Sequence, residues 1–300
     1  FLYPAEKSHP KTYGAGRLRP IGGGFIMKNI ITTLKQYISV TFCSIRLAFL
    51  GIVEYPSSIA GWLISNPIQF VLGFATIRFA VAEFGQINGW NYGQLAMLYG
   101  LSVISHALSM IFFVQGWFMG YYVLEGAFDR YLTRPLDVLY QFFFTNINVF
   151  GITDLIPGIC VFMYGCFKTG FTPDFSNVTG IIVMLIGATL IRGGIYILLG
   201  TTSFWTRSAN DFGQYTQEIF DKTTQYPISM YPESFQFLLT YLIPIGWVSF
   251  YPVSGLLGIH TTLHTGTFGP WITLLVGLAV ISVAGIVFKL GLSKYESAGN

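Results

Sequence analysis

Six stretches of this chain are long and apolar enough to cross a bilayer, and a chain that carries them is built for membrane. A crossing helix needs about 20 mostly apolar residues. The stretches cover residues 57–81, 92–118, 140–167, 178–205, 235–259 and 270–288. The fifth is interrupted by Pro244 and Pro252. The third and fourth exceed the length of a span, which predicts tilt or extension past the membrane. Charged residues make up only 10% of the 300, whereas a soluble domain carries about 25%. So few charges hardly cover a soluble surface, so a soluble enzyme, a nucleic-acid binder and a disordered chain are excluded. The net charge of +3 is too small to argue for a polyanionic partner. The expected fold is an all-α membrane protein with one six-span domain over residues 27–300.

Residues 33–54 have a different pattern. Leu34, Ile38, Phe42, Ile45 and Phe49 recur at helical spacing, while Lys35, Ser39 and Arg46 occupy a neighbouring face. This suits an amphipathic helix in the headgroup plane. It is preferred to a seventh span because Lys35 and Arg46 would both be costly at depth. Residues 1–26 are mostly polar and rich in Gly, Pro and basic residues. They read as a tail, a processed leader or an expression remnant, without the apolar core of a secretory signal.

Lys and Arg favour cytoplasmic loops. Of the sixteen, thirteen fall before the first span, between spans two and three, between four and five, or at the end of the sixth. Lys168 alone lies on the opposite side, and Arg78 and Arg192 lie within spans. Both termini are therefore expected in the cytoplasm. The opposite loops, 82–91, 168–177 and 260–269, are short and leave no room for a large external domain.

Several chemistries are missing. The sequence holds no Gly-x-x-x-x-Gly-Lys-Ser/Thr run, no His-Glu-x-x-His and no Gly-x-Ser-x-Gly. Cys43, Cys160 and Cys166 form no zinc or redox motif and read as small hydrophobes. His260 and His264 have the spacing of a shared helical face, but no carboxylate is near in sequence, so no metal site is expected. The other histidines are His9 and His106.

Three places carry distinctive residues. The loop after span two gathers Glu125, Asp129, Arg130 and Arg134 before Pro135. Glu125 and Asp129 are four apart, as are Arg130 and Arg134, so each pair would share a helical side. Pro135 would end the turn. A charged cap on the helix ends and a short helix that docks into another protein explain these residues equally well. Between spans four and five, Tyr226-Pro227 and Tyr231-Pro232 favour extended or turned backbone. Tyrosine suits the interface, so this is expected to be an interfacial re-entry into span five rather than a ligand site. Finally, His106, Asp154 and Arg192 fall near the middle of spans two, three and four. Intramembrane charges are costly and usually pair or face a cavity. If spans three and four form an antiparallel hairpin, Asp154 and Arg192 meet, as a packing ion pair or as a polar patch on a translocation path. Gly116 and Gly120 permit close helix approach. Phe142, Phe143, Phe144 and Phe150 make one end of span three aromatic. Those aromatics suit a lipophilic path or lipid contact alike.

Taken together, these runs carry a family resemblance. Gly126-x-x-Asp129-Arg130-x-x-x-Arg134-Pro135 resembles the cytoplasmic signature of type-2 ABC exporter permeases. Tyr226-Pro-x-x-x-Tyr-Pro, followed by Leu239-Thr240, Ile243-Pro244 and Tyr251-Pro252, resembles the second signature. Lys294-Tyr295-Glu296-Ser297-Ala298-Gly299 resembles the usual ending. The likeness runs from about Met27 to Asn300.

The resemblance implies a transmembrane subunit without catalytic residues, working with a separate P-loop ATPase subunit and a second permease, identical or related. ATP and Mg2+ would bind in the ATPase, and this chain would hold no cofactor. Glu125, Asp129, Arg130, Arg134 and Pro135 would couple the ATPase to the spans. The expected function is export of a lipophilic or amphipathic compound by alternating access. Export of a glycan or glycolipid on the same architecture is the alternative, and a non-transporting membrane scaffold is another. The expected location is a bacterial plasma (inner) membrane, with lipid as the surrounding partner and no nucleic acid.

Overall fold

The computed structural model describes residues 23–54, 56–172, 174–207, 211–261, 263 and 266–296. Most of the polar tail with His9, as well as His264 and residues 297–299 of the ending, lie outside the described residues. The chain divides into two units, Phe1–Phe42 and Cys43–Asn300. In the first, the described residues belong to the opening of helix α1 (Gly23–Glu54), which begins upstream of the expected boundary at residue 33. Leu34, Ile38 and Phe42 on it are exposed, as is Lys35.

The second unit is a helical bundle. Helix α2 (Pro56–Phe84) is followed by α3 (Tyr92–Phe113). The start of α3 is set by Asn91, whose side chain accepts from the Gln94 N–H while the Gln94 side chain accepts from the Asn91 N–H. This reciprocal cap satisfies two otherwise orphaned donors. Beyond Val114 the helix continues as α4 (Gln115–Leu124). Then come the one-turn α5 (Asp129–Leu132), α6 (Val138–Phe144) and, after a short 3-10 turn at Val149–Gly151, α7 (Ile152–Thr169). Next are α8 (Phe175–Thr201) and α9 (Ser203–Thr206), α10 (Asp211–Thr223), α11 (Glu233–Phe237), α12 (Phe250–Leu257) and α13 (Gly269–Leu292).

Among the described residues, five helical stretches are long and apolar enough to cross a membrane: Ala60–Phe84, Tyr92–Leu124, Val149–Thr169, Phe175–Thr206 and Gly269–Leu292. They correspond to the expected first, second, third, fourth and sixth spans. The third begins later than expected, because α6 is separated from α7 by the break around Asn148.

The expected fifth span, 235–259, is not one helix. It is divided among α11, a π-helical turn at Leu238–Leu242, a 3-10 turn at Ile245–Trp247 and α12. Proline explains the break: Pro244 has no N–H to continue a helix and pushes Ile243 out of helical geometry. Ile243 accordingly sits at φ −120°, ψ 88°.

The segment before it runs the length of the bundle. Arg207 follows α9 at the end where Phe204 meets Phe128. Ser229 lies at the opposite end, where its carbonyl accepts from the side chain of Asn88 in the α2–α3 loop. Helix α10 and the turn at Ile228–Met230 connect these two ends. The Tyr226–Pro232 stretch is therefore far from the Arg207 end, not in a loop beside it.

Glycines set the spacing of the long helices. A Cβ on Gly165 of α7 would lie 2.5 Å from the backbone nitrogen of Met97 on α3, and one on Gly277 of α13 would lie 2.5 Å from the Gly187 carbonyl of α8. Such contacts let backbones approach closely in a membrane bundle. Helix α3 packs against both α7 and α8, which make little contact with each other although they are consecutive. The expected α7–α8 hairpin is thus split by α3. Two apolar clusters result, one around Trp90, Leu98 and Tyr251, the other around Phe128, Phe142 and Phe288.

Candidate functional site

Between those clusters lies a polar layer. Arg192 on α8 is 3% exposed, so its charge needs partners within the bundle. The guanidinium forms an ion pair with Asp221 of α10. It also donates to Thr224 Oγ1 at 2.5 Å, to Ser105 Oγ at 3.0 Å and to Ser102 Oγ at 2.9 Å. Asp221 further accepts from the Tyr196 hydroxyl at 2.8 Å. His106 Nδ1 lies 3.1 Å from Asp221, and its Nε2 lies 4.0 Å from Asp154. Asp154 accepts from the Asn66 side chain of α2 at 2.5 Å and from Thr153 at 3.2 Å. Five long elements, α2, α3, α7, α8 and α10, thus share one network.

His106, Asp154 and Arg192 do gather here, but Asp154 and Arg192 do not form the expected pair. Arg192 takes Asp221, and Asp154 is held by Asn66 and flanked by His106. Nor is Asp154 mid-helix, since it sits in the first turn of α7. The residues absent from the sequence expectation are Asp221, Thr224 and Asn66, together with Ser102, Ser105, Thr153 and Tyr196. A signal for Asp221 existed: Gln217, Asp221 and Thr224 recur at helical spacing and are buried, while Tyr215 and Ile219 on the same stretch are exposed. A polar stripe turned inward suits a helix that packs against a polar layer.

Beside the network is an open-sided cavity of about 990 Å³. It is bounded by α2, α3–α4, residues 146–151 and α10. Asn66, His106, Asp154 and Asp221 reach its wall, and Trp62, Phe70, Trp117 and Phe150 supply aromatic surface. Among the described residues no group of three or more His, Cys, Asp or Glu is arranged to hold a metal ion.

The charged loop after span two lies at the Arg207 end. Gly126 takes the left-handed conformation, φ 67°, which favours glycine, and ends α4. Glu125 and Asp129 therefore stand on either side of a break and not on one continuous helix. Aromatic packing anchors the loop from beneath. Phe128 is fully buried, stacked on Phe142 at 4.9 Å and edge-on to Phe204 at 5.2 Å. Tyr131 is 2% exposed, and its carbonyl accepts from Gln141 at 3.2 Å. The Arg130 guanidinium lies over the rings of Tyr122 and Tyr131 and donates to the Tyr131 hydroxyl at 2.7 Å. Glu125, Arg130, Leu132, Arg134 and Pro135 remain exposed.

The chain's ending braces this loop. Tyr295 packs against Phe128 at 5.8 Å and Phe204 at 6.0 Å, and Glu296 pairs with Arg207 at 2.6 Å. Burial, and then the neighbouring Asp129 carboxylate, push the Tyr295 phenol up to about 12, so it stays neutral at ordinary pH. Tyr295→Ala is expected to loosen the loop, with amide exchange across residues 125–135 rising about tenfold, equal to about 1.4 kcal/mol of local opening. Tyr295→Phe keeps the ring contacts and should change exchange by less than about threefold. Hydrogen-exchange mass spectrometry separates the two.

The Tyr-Pro stretch is structural in its contacts. Pro227 and Ile228 are buried, and Tyr226 and Tyr231 pack partly buried against the first apolar cluster. Lys222, expected in a cytoplasmic loop, instead lines the cavity from α10.

A family model described as ABC-2 family transporter protein matches residues 67–299. No match was found among curated proteins. The matched residues include the charged loop, the polar network except Asn66, α10 and the broken segment that follows it. This multi-pass helical membrane protein belongs to the ABC-2 transporter family.

Proposed function

We propose that this chain is the permease subunit of an ATP-driven exporter that moves a lipophilic or amphipathic substrate. The observation that carries the reading is the exposed charge of Glu125, Arg130 and Arg134 on a loop fixed by Phe128 and Tyr131. A surface that is polar outside and rigid beneath suits a lasting contact with a separate protein, because little ordering entropy remains to be lost on binding. In this reading a P-loop ATPase docks there and holds ATP and Mg2+, and a second permease, identical or related, completes the membrane part. Closure of the ATPases would bias the bundle between inward-open and outward-open states, which requires only that ATP binds one state better. The amphipathic α1 would lie at the membrane interface, with both termini in the cytoplasm of a bacterial inner membrane. The segment of α10 and its following turn would be the fifth crossing, and α11–α12 a re-entrant hairpin.

Mild-detergent purification of the full chain, followed by mass spectrometry of bound proteins, tests the proposal. A stoichiometric P-loop ATPase is expected. A chain that purifies alone under gentle conditions would favour a scaffold or an ATP-independent carrier.

A further inference from the structure

We propose that the 990 Å³ cavity binds a lipophilic organic cation, with the Asp154 carboxylate facing its charge and the aromatic wall facing its body. This names a substrate class for the transport reading above and rests on it.

Two buried carboxylates serve the network, Asp154 and Asp221, each under a tenth exposed. Arg192 is committed to Asp221 and to the hydroxyls of Thr224, Ser102 and Ser105. Asp154 has only neutral donors within hydrogen-bond distance, Asn66 and Thr153. Its nearest ionisable neighbour is His106, 4.0 Å away and closer to Asp221 at 3.1 Å. Including the other charged groups at the cavity, Glu218 and Lys222 on α10, three carboxylates stand against two fixed cations. A buried carboxylate without a full counter-charge is costly. A cationic guest supplies that charge.

The surroundings suit the same guest. Trp62, Phe70, Trp117, Phe118 and Phe150 line the cavity, and aromatic faces attract cations, most strongly when desolvated. The volume lies at the upper end of small-molecule sites, roughly 300–1,000 Å³. An anion fits poorly, because Asp154, Asp221 and Glu218 would all face it, and with the Arg192 guanidinium engaged by Asp221 it would meet Lys222 as its counter-charge.

The test is equilibrium binding of tetraphenylphosphonium to the full chain in lipid nanodiscs, with any co-purifying ATPase retained and no nucleotide added. Tetraphenylborate, of the same shape and opposite charge, is the comparison. Saturable phosphonium binding is expected, at least tenfold tighter than the borate. Asp154→Asn should weaken phosphonium binding tenfold or more, and Asp154→Glu should restore most of it. Trp62 is half exposed, so Trp62→Ala should leave the fold intact and still weaken binding about threefold. Equal affinity for the two ions, or wild-type affinity in Asp154→Asn, overturns the proposal. Because binding is read without ATP, such a failure leaves the ATPase-coupled reading standing. Saturable, Asp154-dependent binding in a chain that has no ATPase partner would instead keep the site and overturn the exporter reading.

Discussion

Replacing Arg192 by leucine is expected to be the most damaging single change in the bundle, and adding Asp221→Leu is expected to repair much of it. Arg192→Leu alone leaves Asp221 buried with the Tyr196 hydroxyl and the edge of His106 as partners. Removing one member of a buried pair typically costs about 3–5 kcal/mol, because the remaining charge is stranded. Removing both members eliminates that penalty. The hydroxyls that Arg192 serves keep partners of their own. Ser105 Oγ donates to the Ser102 carbonyl at 2.9 Å, the hydroxyls of Ser102 and Thr224 pair at 2.8 Å, and Thr224 donates to the Asp221 carbonyl at 2.8 Å. Thermal unfolding monitored by size-exclusion chromatography should place the single variants well below wild type and the double variant above either. A double variant less stable than both singles would show that the network is not organised around this pair.

The same residues show what hydropathy reads and what it overlooks. The apolar stretches are legible because burial in lipid demands nearly continuous hydrophobic sequence, and α2, α3, α8 and α13 lie close to their expected positions. Helix α10 is overlooked because Gln217, Glu218, Asp221 and Lys222 give it the composition of a loop. Its inward face carries Asp221, which meets Arg192 and the Tyr196 hydroxyl in the bundle, and so need not be hydrophobic. Arg192 does have a buried acid, as the cost of an intramembrane charge demands. That acid is Asp221 and not Asp154, because the consecutive spans α7 and α8 do not pack together and α3 lies between them. The proline breaks in 235–259 were visible in the sequence, but not how the pieces fold back on each other, with the Thr240 and Tyr251 hydroxyls meeting at 2.9 Å across the Pro244 break. The charged loop was legible as a place. Its rigidity was not, because that comes from Phe128 meeting Phe204 and Tyr295, residues far apart in the chain.

Those foundations decide which charges should be altered to test coupling. Asp129 is half-buried beside Tyr295, so reversing it would disturb the brace as well as any partner contact. Arg130 is engaged with Tyr122 and Tyr131. Glu125 and Arg134 are exposed, and the double variant Glu125→Arg with Arg134→Glu preserves net charge while inverting the pattern a partner would meet. Like-charge contact across an interface costs several kcal/mol, and each 1.4 kcal/mol is a factor of ten in affinity. ATP-dependent transport in proteoliposomes is therefore expected to fall at least tenfold, with membrane insertion and thermal stability within about 1 kcal/mol of wild type. Loss of the ATPase during purification would show that the charges hold the partner in place. A retained ATPase that hydrolyses ATP without transport would show that they transmit its motion. Normal coupled transport in the double variant would remove Glu125 and Arg134 from the coupling surface and leave the loop as a cap on the helix ends.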